Sequence, residues 1–242
     1  MKLSLEKKVN FLIIYAIAST LLLLLFIFSS FRKGSKQENV DELTVKRINI
    51  VGEDGLVRMV LSNKERQHPG RMNGKEIPKR ERESGIIFFN EEGDECGGLI
   101  HGGKKEKNGK ISSGMSFTMD QYHEDQVIQI FNEENYENGT ADIERGIKIN
   151  EYPVGSNLGD RIEKFESIEK IKDTSLRREE LNKLIKQTPI KRRLLMGKIN
   201  DNTGLFLSDK NGKRKLMIYV NENGEAKIET VNEKGEIKSA FK

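Results

Sequence analysis

The sequence lacks the residue patterns that mark the commonest kinds of active site. It contains one cysteine, Cys96, so an intramolecular disulfide and a disulfide-rich scaffold are excluded. The motifs G-x-S-x-G, H-E-x-x-H and C-x-x-C and the P-loop signature are all missing. The common nucleophile, zinc-protease, redox and nucleotide-binding signatures are therefore absent. We expect no cofactor and a domain that is not an enzyme.

An excess of charge of one sign is lacking too. The net charge is +4, from 42 basic and 38 acidic residues. Residues 1–31 hold three lysines and one glutamate, so they account for +2 and leave only +2 for the rest of the chain. That balance excludes the electrostatic footprint of a nucleic-acid-binding domain. The basic runs at 104–110 and 191–193 are predicted to be solvated, and no nucleic-acid partner is expected.

A long uncharged apolar stretch is present at the N-terminus, from Phe11 to Phe28. Eighteen helical residues extend roughly 27 Å, which matches the hydrocarbon core of a bilayer at about 30 Å. The stretch predicts a transmembrane helix over 9–31, after a basic tail, 1–8, and before a linker, 32–42. A cleaved signal peptide is the alternative, but the apolar run is too long and Phe28-Ser29-Ser30 fits a cleavage site poorly.

The side of the membrane on which the domain lies is harder to predict from the sequence. Basic residues flank the apolar stretch on both sides, so the positive-inside rule is nearly balanced. A very short basic N-terminus usually stays in the cytoplasm, which favours an extracytoplasmic domain. A cytoplasmic domain is the alternative and would suit the free thiol of Cys96.

The remaining chain, 43–242, has the pattern of a β-rich domain. Gly212, Gly224 and Gly235 recur at spacings of 12 and 11, and apolar residues alternate along the segments between them. Asn-Gly pairs are typical of type I′ turns in β-hairpins, because both central residues then take positive φ. We predict an antiparallel meander folded as a sandwich or a partly closed barrel, with a β-solenoid as the alternative.

A helical pattern interrupts the β-rich domain at 158–188. Apolar residues from Leu158 to Ile171 recur at spacings of four and three, which predicts an amphipathic helix. A second helix is predicted over 176–186, stopped by Thr188-Pro189. We expect the first helix to dock on the sheet with Phe165 buried. The charged segment 62–83 is predicted to be a solvated loop.

Four segments of the β-rich domain resemble a group of uncharacterised bacterial proteins with an N-terminal membrane anchor. They are residues 43–51, 60–64, 97–103 and 119–127. The resemblance covers about 40 to 240 and implies a turn-rich β domain behind the anchor. It brings no known activity, so it implies no catalytic residue.

The best candidate for a chemical site is the polar segment 120–126. Asp120, His123 and Asp125 could converge if this segment forms a turn, and their carboxylate and imidazole groups suit Zn, Mn or Ca. A polar hairpin turn explains the same residues without any metal. Cys96 and His101 lie five residues apart, which places them on opposite faces of an ideal strand and disfavours a nucleophile pair.

These observations predict a membrane-anchored, non-enzymatic β domain that serves as a binding or structural module of the cell envelope. Its expected partners are the lipid bilayer, through the N-terminal helix, and a protein of the envelope. The oligomeric state is open. The alternative is a metal-dependent enzyme or hydrolase that uses Asp120, His123 and Asp125.

Overall fold

The computed structural model describes residues 4–30, 39–187 and 190–240. Contacts divide the chain into two compact units, Met1–Thr44 and Val45–Lys242. Most of the predicted linker and the predicted helix stop at 188–189 lie outside the described residues.

The first unit contains one long helix, α1, at Leu5–Ser30. Its segment Leu5–Phe28 has a mean hydropathy of 2.8 and is long and apolar enough to cross a membrane. The hydroxyls of Ser19 and Thr20 donate to the carbonyls of Tyr15 and Ala16 in the preceding turn, at 2.7 and 2.8 Å. These bonds satisfy the two polar side chains within the helix itself. Together with the β domain described below, this helix fits a membrane-anchored β domain.

The second unit is built from strands, with two helices and one short 3-10 turn (Lys64–Arg66) between them. In the described part of the chain the strands are β1 (Arg47–Val51), β2 (Val57–Ser62), β3 (Arg71–Met72), β4 (Lys75–Glu76), β5 (Ser84–Phe89), β6 (Glu95–Lys105), β7 (Ile111–Asp120), β8 (Gln126–Glu137), β9 (Thr140–Glu151), β10 (Lys191–Ile199), β11 (Asn202–Ser208), β12 (Arg214–Val220), β13 (Ala226–Val231) and β14 (Ile237–Ser239). The helices α2 (Leu158–Glu169) and α3 (Thr174–Gln187) separate β9 from β10.

Twelve of these strands form one antiparallel sheet, and β3 and β4 form a separate small hairpin. The order in the large sheet is β1-β2-β5-β6-β7-β8-β9-β10-β11-β12-β13-β14. The prediction of a mainly β meander with a two-helix insertion is confirmed. Its finer form is corrected, because the described strands form one open ladder, neither a closed barrel nor two stacked sheets. Antiparallel neighbours also exclude the solenoid.

Short hairpin turns cause this strand order. In the turn between β12 and β13, the Gly224 N–H donates to the Asn221 carbonyl at 3.0 Å, and Gly224 has φ +80°. The Asn221 side chain also accepts the N–H groups of Asn223 and Glu225. The hairpins predicted at Asn211-Gly212 and Asn223-Gly224 are confirmed. Their geometry is corrected, because only the glycine takes positive φ, as in a turn with a glycine bulge.

The two faces of the sheet differ in burial. The buried apolar side chains of the large sheet, such as Val60, Ile87 and Leu195, project from one face, which we call the core face. One cluster joins Val60, Ile87 and Phe89, and a second joins Phe131, Leu195, Phe206 and Met217. The other face, which we call the apolar face, contains no buried apolar residue in its two central rows.

The charged segment 62–83 is more than the solvated loop expected from the sequence. It contains the β3–β4 hairpin, and within it His68 and Met72 are buried. The His68 ring meets the Phe89 ring edge to face at 4.7 Å, so the segment helps to cover the first core cluster. Arg82 and Glu95 pair at 2.7 Å with both side chains mostly buried.

The two helices also depart from the expected packing. Ile168 in α2 and Leu184 in α3 are buried, whereas Phe165 is 44% exposed. The expectation that Phe165 is buried against the sheet is therefore wrong. The polar contacts of α2 with the sheet are instead made at hairpin turns.

Replacing Gly224 by Val should lower the free energy of unfolding by about 1–2 kcal/mol, because a β-branched side chain is strained at positive φ. Urea unfolding of a fragment that starts at residue 40 measures the change. Glu222→Val in the same turn is the matched control and should leave the midpoint nearly unchanged. Equal shifts in the two variants would contradict the role of φ.

Leu195→Ala should cost about 2–5 kcal/mol, because Leu195 is 1% exposed in the second core cluster. Phe165→Ala should cost clearly less, since the residue is already 44% exposed. The shifts in urea midpoint of the two variants test this order. A larger shift for Phe165→Ala would support the buried position of Phe165 that was expected from the sequence.

Candidate functional site

Four elements meet at one end of the sheet: the β5–β6 turn, the β7–β8 turn, the β3–β4 hairpin and the start of α2. We call this meeting point the turn cluster and define it by Glu92, Asp94, His123 and Asn73. The residues come from segments far apart in sequence, so only the fold brings them together. Their side chains are polar, and each makes at least one contact across the cluster.

His123 lies at the centre of the turn cluster. Its Nε2 is 3.3 Å from Glu92 Oε2, and its Nδ1 is 3.2 Å from Asp94 Oδ2. Nδ1 is buried, yet among the described residues it has no partner in hydrogen-bonding geometry. One ligand atom from each of Glu92, Asp94 and His123 lies within 4.8 Å of the other two. The two carboxylates therefore flank different nitrogens of one imidazole, within a few ångströms of one another.

Asp94 is the buried anchor of the cluster, with a side chain only 2% exposed. Its Oδ2 accepts the Asn73 N–H at 2.9 Å, and its Oδ1 accepts the Gly74 N–H at 3.1 Å. Two backbone donors compensate a carboxylate for the water it loses on burial. Each oxygen keeps a lone pair, because a carboxylate oxygen can accept more than one bond.

The backbone of His123 is itself unusual. Its φ is +55°, a region that favours glycine and in which only asparagine joins histidine among the described non-glycine residues. The neighbouring Tyr122 hydroxyl donates to Glu92 Oε1 at 2.9 Å, and the two rings of Tyr122 and His123 meet at 3.9 Å. The backbone of His123 therefore adopts a conformation that costs free energy, while Tyr122 and Glu92 pack beside its ring.

Helix α2 clamps the same turn from the other side. Glu124 is fully buried, and its two carboxylate oxygens accept hydrogen bonds from the two terminal guanidinium nitrogens of Arg161, at 2.5 and 2.7 Å. The Leu158 N–H at the start of the helix donates to the His123 carbonyl at 2.8 Å. Because a buried bidentate pair is costly to break, the β7–β8 turn and α2 are expected to move as one piece.

The β3–β4 hairpin completes the arrangement through the N-terminus of α2. Asn73 and Asn157 exchange side-chain hydrogen bonds at 2.9 and 3.0 Å, while Asn157 also caps the helix by accepting the Asp160 N–H. Lys75 pairs with Glu163 at 2.6 Å. The hairpin thus links Asp94 to the helix.

Asp120 and Asp125, the other two predicted site residues, lie in a different environment. They line a cavity of about 470 Å³ together with Arg82, Glu95 and Phe165. Burial, then the charges of Glu95 and Asp125, raise the pKa of Asp120 to about 7, although Arg82 opposes the shift. Asp120 Oδ1 is buried and has no hydrogen-bond partner among the described residues.

The structure therefore separates the three residues singled out from the sequence. His123 joins Glu92 and Asp94, and in the described part of the chain no group of ligand atoms includes Asp120 or Asp125 within 4.8 Å. Sequence reasoning missed Glu92 and Asp94, which lie some thirty residues before His123. Their signal was only that of a common turn, Asn90-Glu91-Glu92-Gly93-Asp94.

The thiol of Cys96 shows no sign of activation. It forms no disulfide, and partial desolvation of the sulfur, together with the charges of Asp120 and Glu95, raises its pKa. A raised pKa keeps the sulfur as a thiol at neutral pH, whereas a nucleophile needs the thiolate.

The apolar face is the second candidate surface. Its first row runs through eleven strands as directly paired residues: Ile48, Leu61, Ile86, Leu99, Phe117, Ile130, Ile147, Met196, Leu205, Ile218 and Ile228. A second row, two residues along each strand, adds Ile50, Met59, Phe88, Met119, Ile128, Ile149, Leu194, Leu207 and Leu216. All twenty side chains are at least partly exposed, and none is charged.

Comparisons with known protein families, with curated proteins and with solved structures found no match to this chain. The function must therefore be argued from the geometry of the turn cluster and of the apolar face.

Asp120→Asn should flatten the pH dependence of stability. Because folding raises the pKa of this carboxyl, the folded state binds the extra proton, and stability falls as pH rises from about 4 to about 7. The amide cannot ionise, so the variant should gain stability relative to the parent protein at pH 8 and not at pH 4. Urea midpoints at the two pH values measure this, and a parallel displacement at both would contradict the assignment.

Proposed function

We propose that this protein is a membrane-anchored, non-enzymatic structural module of the cell envelope, and that it works as a dimer joined through the apolar face. The observation that carries the proposal is the apolar face, on which one continuous row crosses eleven strands and a second row adds nine apolar residues, all of them at least partly exposed. The proposal keeps the expected role of a structural module and adds a partner, a second copy of the chain.

The extent of the apolar face supports an interface. Antiparallel sheets that face water usually carry polar residues on that side, whereas here Ile130, Met196 and Met119 are 44–49% exposed. Monomeric proteins rarely expose apolar patches larger than a few hundred Å². The twenty side chains expose on the order of 1,000 Å², comparable with the roughly 800 Å² that each partner buries in a stable complex.

The chemistry of the face favours a second copy. Its two rows contain no charged residue, so identical faces meet without like-charge repulsion. Two sheets stacked about 10 Å apart would interdigitate their aliphatic side chains as the layers of a β-sandwich do. A twofold interface also needs only one self-complementary surface, and a sheet of this kind provides it.

The membrane anchor supports the same arrangement. Helix α1 would confine every copy to one bilayer, which raises the effective concentration of one domain near another. We place the domain on the extracytoplasmic side, because the short basic N-terminal tail favours the cytoplasm. Balanced surface charge agrees with a structural role and does not suggest a nucleic-acid partner.

Ile130→Glu should convert the dimer to a monomer, because a carboxylate placed in the middle of the apolar face would be buried without a partner. The association state of the full-length protein in detergent, measured by analytical ultracentrifugation, tests this. Val154→Glu is the matched control, since Val154 is fully exposed in a loop outside the face.

Cross-linking in native membranes gives an independent test. A single cysteine at position 130, introduced with Cys96→Ser, should link two copies through a short bifunctional maleimide, whereas a cysteine at position 154 should not. A monomeric parent protein, or equal cross-linking at both positions, would refute the dimer. Liposome binding by a monomeric fragment that starts at residue 40, and so lacks α1, would point to lipid as the occupant instead if it depends on Ile130.

A further inference from the structure

We propose that the turn cluster is a binding site for a divalent transition-metal ion of the zinc class, held by Glu92, Asp94 and His123. The proposal is independent of the dimer, because it rests on the three side chains that two neighbouring turns bring to one point. It also differs from the site predicted by sequence, with which it shares only His123.

The donor set is suited to such an ion. An imidazole ligand suits zinc and other transition metals, and carboxylates complete such sites, whereas calcium and magnesium prefer oxygen ligands alone. Three ligand atoms lie within 4.8 Å of one another, so side-chain rotations that bring both carboxylates to one imidazole nitrogen would let them surround one ion. Glu92 is 53% exposed, so an ion can enter from solvent and water can complete its coordination.

The surroundings of the three residues match those of a supported metal site. Asp94 is oriented by two backbone N–H groups, Glu92 by the Tyr122 hydroxyl, and the His123 backbone by the Leu158 N–H. Outer contacts of this kind fix the direction of metal ligands and are typical of natural sites. They also mean that little ordering remains to be done when an ion binds.

The state of His123 provides a separate argument. Its Nδ1 is buried but lacks a hydrogen-bond partner among the described residues, although a carboxylate oxygen lies only 3.2 Å away. The residue is also held at φ +55°, a region that the other described non-glycine residues enter only as asparagine. The imidazole, which faces two carboxylates and makes no hydrogen bond at Nδ1 to a described residue, can present this nitrogen to an ion.

The rival explanation is an ion pair between a protonated His123 and its two carboxylates. That pair would also place the three groups together, but it would require no metal. The two explanations differ in what happens when the metal is added to protein stripped by a chelator.

The experiment is titration of chelator-treated full-length protein in detergent with zinc chloride, followed by isothermal calorimetry and by thermal unfolding. One ion per chain should bind and raise the melting temperature. His123→Gly should fold, because glycine adopts positive φ without strain. The variant should bind zinc at least tenfold more weakly than the parent protein. Glu92→Gln should weaken it too, whereas Glu91→Gln, an exposed acid of the same turn, should not.

Cobalt(II) supplies a spectroscopic readout, because its visible absorption reports coordination by protein ligands. The band should appear in the parent protein and in Cys96→Ser, and it should be lost in His123→Gly. Absence of zinc binding in the parent protein would overturn the proposal and leave the ion pair. Binding of equal strength in His123→Gly would overturn it as well, by showing that the ion is held elsewhere.

Discussion

The hydrogen-bonded register of the antiparallel strands is the constraint on which the rest of the structure depends. Side chains alternate between faces with a period of two, so a slip of one residue would exchange the two faces of a strand. Short turns with positive-φ glycines hold that register from one hairpin to the next. As a result, Leu195 and Phe206 meet on the core face while Met196 and Leu205 meet on the apolar face.

The same register explains why a single sheet carries apolar side chains on both of its faces. The core face carries the buried clusters and is partly covered by segment 62–83, whose His68 ring contacts the ring of Phe89 in β5. The apolar face has no comparable cover among the described residues. Since a sheet with a hydrophobic face must bury it against another layer, the dimer proposed above would supply the layer that the fold lacks.

The turn cluster is the second consequence of the meander. The β5–β6 and β7–β8 hairpins are neighbours, and their turns lie at the same end of the sheet. The polar side chains of the two turns can therefore interact. The buried Glu124–Arg161 pair then attaches α2 to one of these turns. The helical insertion therefore positions a polar site, although its apolar stripe suggested only packing against the sheet.

Several features could be predicted because their causes are local. The uncharged run up to Phe28 is sufficient for an apolar helix, and the glycines at 212, 224 and 235 are sufficient for hairpin turns. The start of α2 at Leu158 was predictable from apolar spacing, whereas the capping role of Asn157 is seen only in the structure. The type of turn was not predictable. The side chain of Asn221 accepts the Asn223 N–H, and this contact favours a turn in which Asn223 keeps negative φ.

The sequence by itself determined the apolar helix, the antiparallel meander and the place of the two-helix insertion, since each follows from the order of residues within one short segment. Only the tertiary structure decided that the sheet stays open, that Phe165 is half exposed and that His123 meets Glu92 and Asp94 instead of Asp120 and Asp125. These outcomes depend on which segments become neighbours in space. Periodicity within a strand reports which side chains share a face, but it contains no information about the turn or the layer that lies against them.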